Sequence, residues 1–184
     1  MLEIRDLNVA YGESQVLWDV SLDVPAGGVV CLMGRNGVGK TTLLKTIMGL
    51  LPARSGRITL DGVDLGSLRP EERAARGIGY VPQGREIFPN LSVSENLRVG
   101  FLGRPKLLLM DEPTEGIQPN VILQIEEAIE RIKEQGIAVL LVEQYLEFAW
   151  RLAGSYAIIR KGSIVSSGVT ADLRHDVVRQ HLTV

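Results

Sequence analysis

Short runs of consecutive apolar residues mark the strands of a buried sheet. They lie within Val29–Met33, Ile78–Val81, Lys106–Met110 and Ile137–Val142. Consecutive apolar positions are typical of strands that are covered on both faces, and a parallel sheet buries its strands in that way. The pattern therefore predicts four strands of a mostly parallel sheet.

Helical periodicity fills several of the segments between these runs. It is clearest in Pro119–Gln135, where isoleucine recurs on one face and a glycine follows as a stop signal. Proline at the first position and acids in the first turn predict a short helix over Pro70–Arg76. Further helices are predicted over Thr42–Leu51 and Tyr145–Ala153, from about Val93 after the capping box Ser92–Glu95, and as one or two short helices in Ala171–Val184.

Turn residues between short apolar stretches predict antiparallel strands as well. Asp61-Gly62 is typical of a two-residue hairpin turn, and Lys161-Gly162 occupies the same place in a second hairpin. The fold class is therefore α/β: one domain over residues 1–184, with a mostly parallel sheet, helices on both faces and a small antiparallel sheet beside it. The additional strands are predicted over Leu2–Val9, Val16–Val24, Arg57–Leu60, Val63–Leu65, Tyr156–Arg160 and Ser163–Ser167.

The composition excludes several classes of function. The net charge of −2 lacks the basic footprint of a nucleic-acid-binding protein or of a polybasic membrane anchor. No apolar run is long enough to cross a bilayer, and the N-terminus lacks the order of a signal peptide. The single cysteine, Cys31, excludes a disulfide framework and fits the cytosol. We therefore expect no nucleic-acid partner and no direct membrane insertion, so a role at a membrane requires a partner protein.

The predicted strand Val29–Met33 runs into the spacing of a phosphate-binding loop, Gly34-x4-Gly39-Lys40-Thr41. Glycines let the backbone curl so that its N–H groups form an anion nest, and the helix that follows adds its positive end. A lysine can then reach the β- and γ-phosphates of ATP, while a threonine hydroxyl ligates Mg²⁺.

A glycine-rich turn that matches by chance is the alternative, and the flanking strand and helix argue against it. The loop therefore predicts a site for ATP and Mg²⁺. The residues predicted to bind the nucleotide here are Gly34, Arg35, Asn36, Gly37, Val38, Gly39, Lys40, Thr41 and Thr42.

A second predicted strand ends in two acids, Asp111 and Glu112. We expect this strand to lie beside the phosphate-loop strand, so that Asp111 faces Mg²⁺ through a water and Glu112 is placed to polarise a water that attacks the γ-phosphate. The alternative is a strand that runs into a solvated acidic turn. The upstream phosphate loop favours the catalytic interpretation.

These motifs in this order resemble the ATP-binding subunit of ABC transporters, over nearly the whole chain. The resemblance implies a P-loop NTPase fold of the ABC-ATPase type that hydrolyses Mg-ATP. It makes Tyr11 the aromatic that stacks on adenine, and Gln83 a Mg²⁺ ligand that senses the membrane subunits. It also makes Asp111 the metal aspartate, Glu112 the catalytic glutamate, and Glu115–Pro119 the loop that crosses between the subunits of a dimer.

Gln144 stands where most ABC ATPases carry a switch histidine. A glutamine can donate a hydrogen bond to the γ-phosphate, but it cannot carry the positive charge of a protonated histidine. His175 and His181 lie in the tail and do not replace it. The predicted catalytic residues are Glu112, Gln144 and Lys40, and the predicted metal ligands are Thr41, Gln83 and Asp111.

Within the family, three stretches resemble the urea and branched-chain amino acid importers, and most of all the urea branch. They are Gly84–Asn90, Asp111–Pro119 and Val142–Tyr145. The substrate assignment rests on this resemblance alone, because the ATPase subunit never touches the substrate.

The family signature Leu-Ser-Gly-Gly-Gln is absent from the sequence. In the family it lies on a helical arm between the sensing glutamine and the metal aspartate, whereas here Asn96–Gly103 must turn almost straight back into the strand at Lys106. We therefore predict that the helical subdomain is deleted near residues 99–105. Two explanations stay open: the protein itself lacks the arm, or a segment is missing from the printed sequence. An intact mass well above 20.1 kDa would favour the second.

In the family, two ATPase subunits enclose ATP between the phosphate loop of one and the signature of the other. The predicted partners are therefore integral-membrane permease subunits and a second ATPase subunit, as a homodimer or heterodimer. The predicted location is cytoplasmic, peripheral on the inner face of the cell membrane. The predicted function is to bind and hydrolyse Mg-ATP and so power the uptake of urea or branched-chain amino acids.

Two other functions are weighed against this one. A nucleotide-binding remnant would hold ATP without turning it over, and the missing signature favours it. A small-molecule kinase would need an acceptor pocket and a lid, and no stretch of the sequence is typical of either.

Overall fold

The computed structural model describes residues 1–84, 105–144 and 146–173, and within them ten strands and four α-helices. The strands are β1 (Leu2–Tyr11), β2 (Ser14–Val24), β3 (Val29–Met33), β4 (Ser55–Leu60), β5 (Val63–Asp64), β6 (Ile78–Val81), β7 (Leu107–Asp111), β8 (Ala138–Glu143), β9 (Ser155–Arg160) and β10 (Ser163–Val169). The helices are α1 (Lys40–Met48), α2 (Pro70–Ala75), α3 (Pro119–Glu134) and α4 (Leu146–Leu152), and a 3-10 turn spans Thr170–Asp172.

Two sheets make up the fold. The larger has the order β10-β9-β3-β8-β7-β6, in which all neighbours are parallel except the antiparallel pair of β9 and β10. The smaller is antiparallel, with the order β2-β1-β4-β5. The predicted α/β class, with a mostly parallel sheet and a small antiparallel sheet, is confirmed.

Alternate residues of the parallel strands face two separate cores. In β3, Val30 and Leu32 pack into the core that α1 and the antiparallel sheet share, whereas Val29, Cys31 and Met33 pack toward α3 and α4. All residues of β3, β7 and β8 are buried. Burial on both faces explains why these runs are continuously apolar up to the acids that end β7 and β8.

The parallel pairing brings four loops to one edge of the sheet. β3, β6, β7 and β8 all end at this carboxyl edge, as the pairing of Met33 with Glu143 shows. The phosphate loop follows β3, Gln83 follows β6, Glu112 follows β7 and Gln144 follows β8. Ligands of open α/β sheets bind outside the carboxyl ends of the strands. The prediction that the strand before Asp111 lies beside the phosphate-loop strand is wrong, because β8 lies between β3 and β7. The parallel order still brings the predicted site residues to one edge.

Helix α1 differs from its prediction at both ends. It begins two residues earlier and ends three residues earlier than predicted, over Lys40–Met48. Gly49 adopts a left-handed conformation with φ 79°, and its N–H turns back to the carbonyls of Lys45 and Thr46, which ends the helix. Every other strand and helix predicted within the described residues agrees with the structure to within two residues.

Residues 82–106 alone connect the neighbouring parallel strands β6 and β7. The helix predicted from about Val93 and the deletion predicted near residues 99–105 lie outside the described residues, as does the tail beyond residue 173. None of the helices in the described part of the chain is long and apolar enough to span a membrane.

The turn between β9 and β10 joins the two sheets. The Gly162 carbonyl accepts a hydrogen bond from the Trp18 N–H at 2.9 Å, and the Ser163 hydroxyl donates to the Trp18 carbonyl at 3.2 Å. Gly162 has φ 83°, and a Cβ there would collide with the Val16 carbonyl oxygen. Only glycine therefore allows this close approach, which positions Val16 for the cleft described below.

We expect Gly162→Ala to destabilise the protein by at least about 2 kcal/mol more than Gly136→Ala. Both glycines have a left-handed backbone (φ 83° and 76°), so both variants carry similar strain, but a Cβ on Gly136 meets no atom within 4 Å. Urea unfolding of the two variants measures the difference in the free energy of unfolding. Equal losses would show that the contact between the sheets does not constrain Gly162.

Candidate functional site

The phosphate loop follows β3 directly, and its last glycine sets its shape. Gly39 has φ 110°, and a Cβ there would lie 2.6 Å from Leu17 Cδ2, so neither the backbone nor the space admits a side chain. The turn brings the first residue of α1, Lys40, to the carboxyl edge of the sheet. A helix start presents unpaired N–H groups and a positive dipole end, so this edge carries the features of an anion site.

The Lys40 ammonium makes three contacts, which is the full number of its N–H donors. Nζ donates to the Gly34 carbonyl at 2.7 Å and to the Arg35 carbonyl at 2.9 Å, and it lies 2.9 Å from Glu112 Oε1. The side chains of Lys40 and Glu112 are 4% and 5% exposed, so solvent screens this ion pair little. A phosphate oxygen that binds Lys40 must replace one of the three contacts, and Glu112 is the charged one among them.

Glu112 receives donors from three loops. Besides its ion pair with Lys40, its Oε2 accepts from Gln83 Nε2 at 3.3 Å and from Gln144 Nε2 at 3.0 Å. Its backbone is left-handed with φ 48°, a conformation that costs a residue other than glycine roughly 1–2 kcal/mol. Its N–H donates to the Val142 carbonyl at 3.0 Å. The strained turn after β7 therefore directs the carboxylate at Lys40.

The two glutamines turn their amide nitrogens toward oxygen acceptors. Gln83 Nε2 also donates to Glu115 Oε2 at 2.8 Å, and Gln144 Nε2 also donates to Asn36 Oδ1 at 2.6 Å. Each amide thus uses both of its N–H groups and presents its carbonyl oxygen as an acceptor. This orientation suits the metal-ligand role predicted for Gln83. For Gln144 to donate to a γ-phosphate, one of its two hydrogen bonds must be exchanged.

Asp111 is fully buried, and neither of its carboxylate oxygens has a hydrogen-bond partner among the described residues. Burial raises its pKa, the Thr41 hydroxyl opposes this rise without meeting the geometry of a full hydrogen bond, and the charge of Glu112 adds to it. A buried carboxylate without a partner is costly, and a divalent cation would satisfy it.

The predicted metal ligands supply oxygen atoms, which fit Mg²⁺ better than a transition metal. The described residues contain no group of three or more histidine, cysteine, aspartate or glutamate side chains that could hold an ion by themselves. Mg²⁺ is bound in proteins by one or two carboxylates together with phosphate and water oxygens. A carboxylate, a hydroxyl and an amide oxygen, from Asp111, Thr41 and Gln83, match that preference.

A cleft of about 370 Å³ opens at this edge of the sheet. Tyr11, which is half exposed at the end of β1, lines the cleft together with Val16, Gln83 and Glu112. The volume falls within the usual range for ligand pockets. Stacking of adenine on Tyr11 stays a prediction. The phosphate-loop residues that line the cleft are Asn36, Gly37, Gly39, Lys40, Thr41 and Thr42.

Other predicted residues lie behind the lining of the cleft. Gly34 is buried and Val38 packs against the core, while the Arg35 side chain is exposed and its carbonyl contacts Lys40. Asp111 lies beneath the surface, and Gln144 reaches the site through Glu112 and Asn36. These residues therefore contribute to the site without lining the cleft.

Sequence reasoning missed Glu143 and Thr114. Glu143 ends β8 and is 1% exposed; its Oε1 accepts from the Thr114 N–H at 3.1 Å and from the Thr114 hydroxyl at 2.7 Å. Its Oε2 accepts from the Gln144 N–H at 3.1 Å. An acid that ends a buried apolar strand was the available signal, since the same signal led to Asp111.

Residues 17–99 match the family described as ABC transporter. The high-affinity branched-chain amino acid transport ATP-binding protein BraG of Pseudomonas aeruginosa is 33% identical, and the match covers 94% of this chain and 94% of that protein. The chain belongs to the ATP-binding subunits of ABC transporters. The resemblance seen in the sequence is confirmed.

Two more distant relatives carry different names. The probable branched-chain amino acid transport ATP-binding protein LivF of Archaeoglobus fulgidus is 27% identical, with 94% of each chain covered. The lipopolysaccharide export system ATP-binding protein LptB of Escherichia coli is also 27% identical, with 95% of this chain and 93% of that protein covered.

Solved structures share the fold of this ABC ATP-binding subunit. An ATP-binding subunit of an ABC transporter, 26% identical, matches with a TM-score of 0.78 over 98% of this chain and 92% of that chain. A dimeric ATP-binding cassette in a post-hydrolysis state, bound to ADP and Pi, is 18% identical, with a TM-score of 0.80 over 92% of this chain and 99% of that chain. At that identity the likeness shows the fold alone, and the P-loop NTPase fold of the ABC-ATPase type is confirmed.

The match with BraG is longer than this chain. It runs over 220 positions, whereas the chain has 184 residues. At least 36 positions of the match therefore have no residue in this chain.

We expect Glu112→Gln to tighten the binding of ADP, measured without Mg²⁺, by about 3- to 10-fold. The variant keeps the shape of the side chain but removes the negative charge that competes with phosphate oxygens for Lys40. Isothermal titration calorimetry in EDTA measures the dissociation constant.

The matched control for this measurement is Glu115→Gln. It removes the same charge from an exposed side chain that bonds Gln83 and makes no ion pair with Lys40, so ADP affinity should change less than about twofold. Unchanged or weaker binding in Glu112→Gln would show that the buried ion pair does not compete with the nucleotide.

Proposed function

We propose that this ABC ATP-binding subunit binds Mg-ATP in the cleft at the carboxyl edge and hydrolyses it to power an importer. The observation that carries the proposal is the convergence of the phosphate loop, Lys40 and Glu112 on one cleft, with the two side chains 2.9 Å apart. A lysine at a helix start binds phosphate, and a buried glutamate beside it is placed as a general base.

The geometry supports two roles for Lys40. It would bind phosphate oxygens, and by doing so it would release Glu112, the proposed general base. Phosphate oxygens of ATP would replace Glu112 at the ammonium, because its three donors are already used. The freed Glu112 carboxylate would then polarise a water for attack on the γ-phosphate. Gln83 and Gln144 hold the same carboxylate oxygen and would keep it directed at the site.

Mg²⁺ is the proposed cofactor, held by Thr41, Gln83 and Asp111. The unpartnered carboxylate of Asp111 is the observation that supports it. When bound, the ion neutralises charge on the phosphate oxygens. The chain's own contribution is to orient the ligands, with the two acids Glu112 and Glu115 fixing the Gln83 amide so that its carbonyl oxygen accepts.

Branched-chain amino acids are the transported class we propose. The names of BraG and LivF support it, since both are called branched-chain amino acid transport ATP-binding proteins. Urea is the second candidate. It is supported by three stretches of the sequence that resemble the urea branch, Gly84–Asn90, Asp111–Pro119 and Val142–Tyr145. LptB, which is named for lipopolysaccharide export, matches at lower identity than BraG, so we favour import.

The proposed partners follow from the family. They are integral-membrane permease subunits and a second ATPase subunit, in a homodimer or heterodimer on the cytoplasmic face of the membrane. Glu115–Pro119, which follows the catalytic turn, is the proposed crossing loop of that dimer.

We also propose that the helical subdomain is shortened. Three observations support this: the signature string is absent, at least 36 positions of the BraG match have no residue here, and residues 82–106 alone connect β6 to β7. In the family, the signature of the partner subunit completes the cage around the γ-phosphate. Loss of one such donor costs about 3–4 kcal/mol of transition-state stabilisation, so the loss of a cluster threatens turnover.

A nucleotide-binding remnant is therefore the second candidate function. The same three observations favour it, and the intact phosphate loop supports retained binding. The two candidates differ in turnover and in self-association, and both can be measured on one preparation once its intact mass has been compared with 20.1 kDa.

For the proposed ATPase, we expect the specific rate of Mg-ATP hydrolysis to rise with protein concentration, because the active form is a dimer. Glu112→Gln should lower the rate by at least about 100-fold, the usual contribution of a general base. Glu127→Gln, which removes an exposed charge on α3, should leave it unchanged. If the unaltered protein binds Mg-ATP but hydrolyses it no faster than Glu112→Gln does, the protein is a nucleotide-binding remnant instead.

Mg²⁺ should raise the affinity of the unaltered protein for ATP. We expect Asp111→Asn to reduce this gain about 10-fold, because a neutral amide is a poor ligand for a hard cation. Affinity measured with Mg²⁺ and with EDTA gives the gain for each variant. Asp172→Asn, an exposed position on the 3-10 turn, is the matched control. An equal gain in both variants would remove Asp111 from the metal site.

A further inference from the structure

Glu143 is a buried carboxylate that forms no ion pair with the residues that the structure describes. Such a group is costly unless several donors satisfy it. Three do so: the Thr114 hydroxyl at 2.7 Å, the Thr114 N–H at 3.1 Å and the Gln144 N–H at 3.1 Å. Burial raises the pKa of Glu143, and these hydrogen bonds oppose the rise.

The three donors belong to two loops that meet at Glu112. Thr114 lies two residues after Glu112 in the loop that follows β7. Gln144 begins the loop that follows β8, and its side-chain amide donates to Glu112 Oε2 at 3.0 Å. One carboxylate therefore binds the backbone of both loops on either side of the proposed general base.

Glu112 needs this support because its backbone is strained. A left-handed residue other than glycine persists only where its surroundings hold it in place. The Glu112 N–H is bonded to Val142, and Thr114 is bonded to Glu143, so β8 holds the turn at the strained residue and again two residues after it. If the second attachment is lost, the turn can relax and the carboxylate can move away from Lys40.

Glu143 itself is not placed to react. It is 1% exposed, both of its oxygens are occupied, and it is not among the residues that line the cleft. We propose that Glu143 is a positioning residue, whose carboxylate ties the loop of Glu112 to the loop of Gln144 and so holds Glu112 against Lys40. The inference rests on the proposed function, because its first readout is nucleotide binding.

Thr114→Val tests the proposal with the smallest change, since it removes the hydroxyl donor and keeps the side-chain shape. We expect it to tighten ADP binding without Mg²⁺ by about twofold or more, because a loosened Glu112 competes less for Lys40. Thr114→Ser keeps the hydroxyl and should bind ADP as the unaltered protein does. A purely structural role would leave binding unchanged or weaken it, and either result would overturn the proposal.

Thr170→Val is the matched control. Thr170 is also buried, at 5% exposure, but its hydroxyl has no hydrogen-bond partner among the described residues. The same substitution there should change neither ADP affinity nor the exchange rates measured below.

Backbone amide hydrogen exchange gives a second readout that needs no nucleotide. Thr114 does not contact the Gln144 N–H directly. We nevertheless expect Thr114→Val to make this amide proton exchange about fivefold faster, because the Glu143 carboxylate that both residues bind is then less well held. Glu143→Gln should have the same effect and replaces Thr114→Val if that variant fails to fold. Unchanged exchange at Gln144 would overturn the proposal.

The two readouts separate this proposal from the proposed function. If the unaltered protein does not bind ADP, the proposed function fails, and exchange at Gln144 alone decides the role of Glu143. If ADP binds but Thr114→Val changes neither readout, the proposed function stands and Glu143 is not a positioning residue.

Discussion

The parallel pairing of β3, β8, β7 and β6 is the constraint on which the site depends. β3, β7 and β8 are buried on both faces, so they are stable only inside a sheet that is covered on both sides. Once they pair in parallel, their carboxyl ends must emerge at one edge. The phosphate loop, Gln83, Glu112 and Gln144 follow four different strands, and they meet because the strands do.

Three buried carboxylates lie at that edge of the sheet, and they differ in their partners. Glu112 is neutralised by Lys40, Glu143 is satisfied by Thr114 and Gln144, and Asp111 has no hydrogen-bond partner among the described residues. Each solution matches a different proposed role. A carboxylate in an ion pair can be displaced by phosphate, one with saturated oxygens can hold loops together, and one without a partner can accept a cation.

The shared fold is compatible with the proposed shortening for a topological reason. β6 and β7 are neighbours in the sheet, and the relative's extra positions are not needed to pair them. A parallel crossover requires only a dozen or more residues, and residues 82–106 exceed that length. The core can therefore keep its strand order while the length of the segment between these two strands varies.

Local sequence patterns were sufficient to predict most of the strands and helices within the described residues, and they also predicted candidate site residues. Burial on two faces leaves a continuous apolar run, and glycine spacing specifies the phosphate loop, because both effects act locally. The predicted end of α1 lies three residues too late, because the local sequence does not show that Gly49 adopts the left-handed backbone that ends the helix. Acids at strand ends were recognised at Asp111 and overlooked at Glu143, although the local pattern is the same.

Which of these residues touch one another depends on the tertiary structure. Gln144 and Asn36 are 108 positions apart in the chain, and their side chains lie 2.6 Å apart. Lys40 and Glu112 are also far apart in the chain, and their side chains lie 2.9 Å apart. Such contacts depend on the order of the strands, with β8 between β3 and β7. Hydrophobic periodicity reports whether a strand is buried, but it does not report its neighbour, because every buried strand of a parallel sheet meets the same apolar surroundings on its faces.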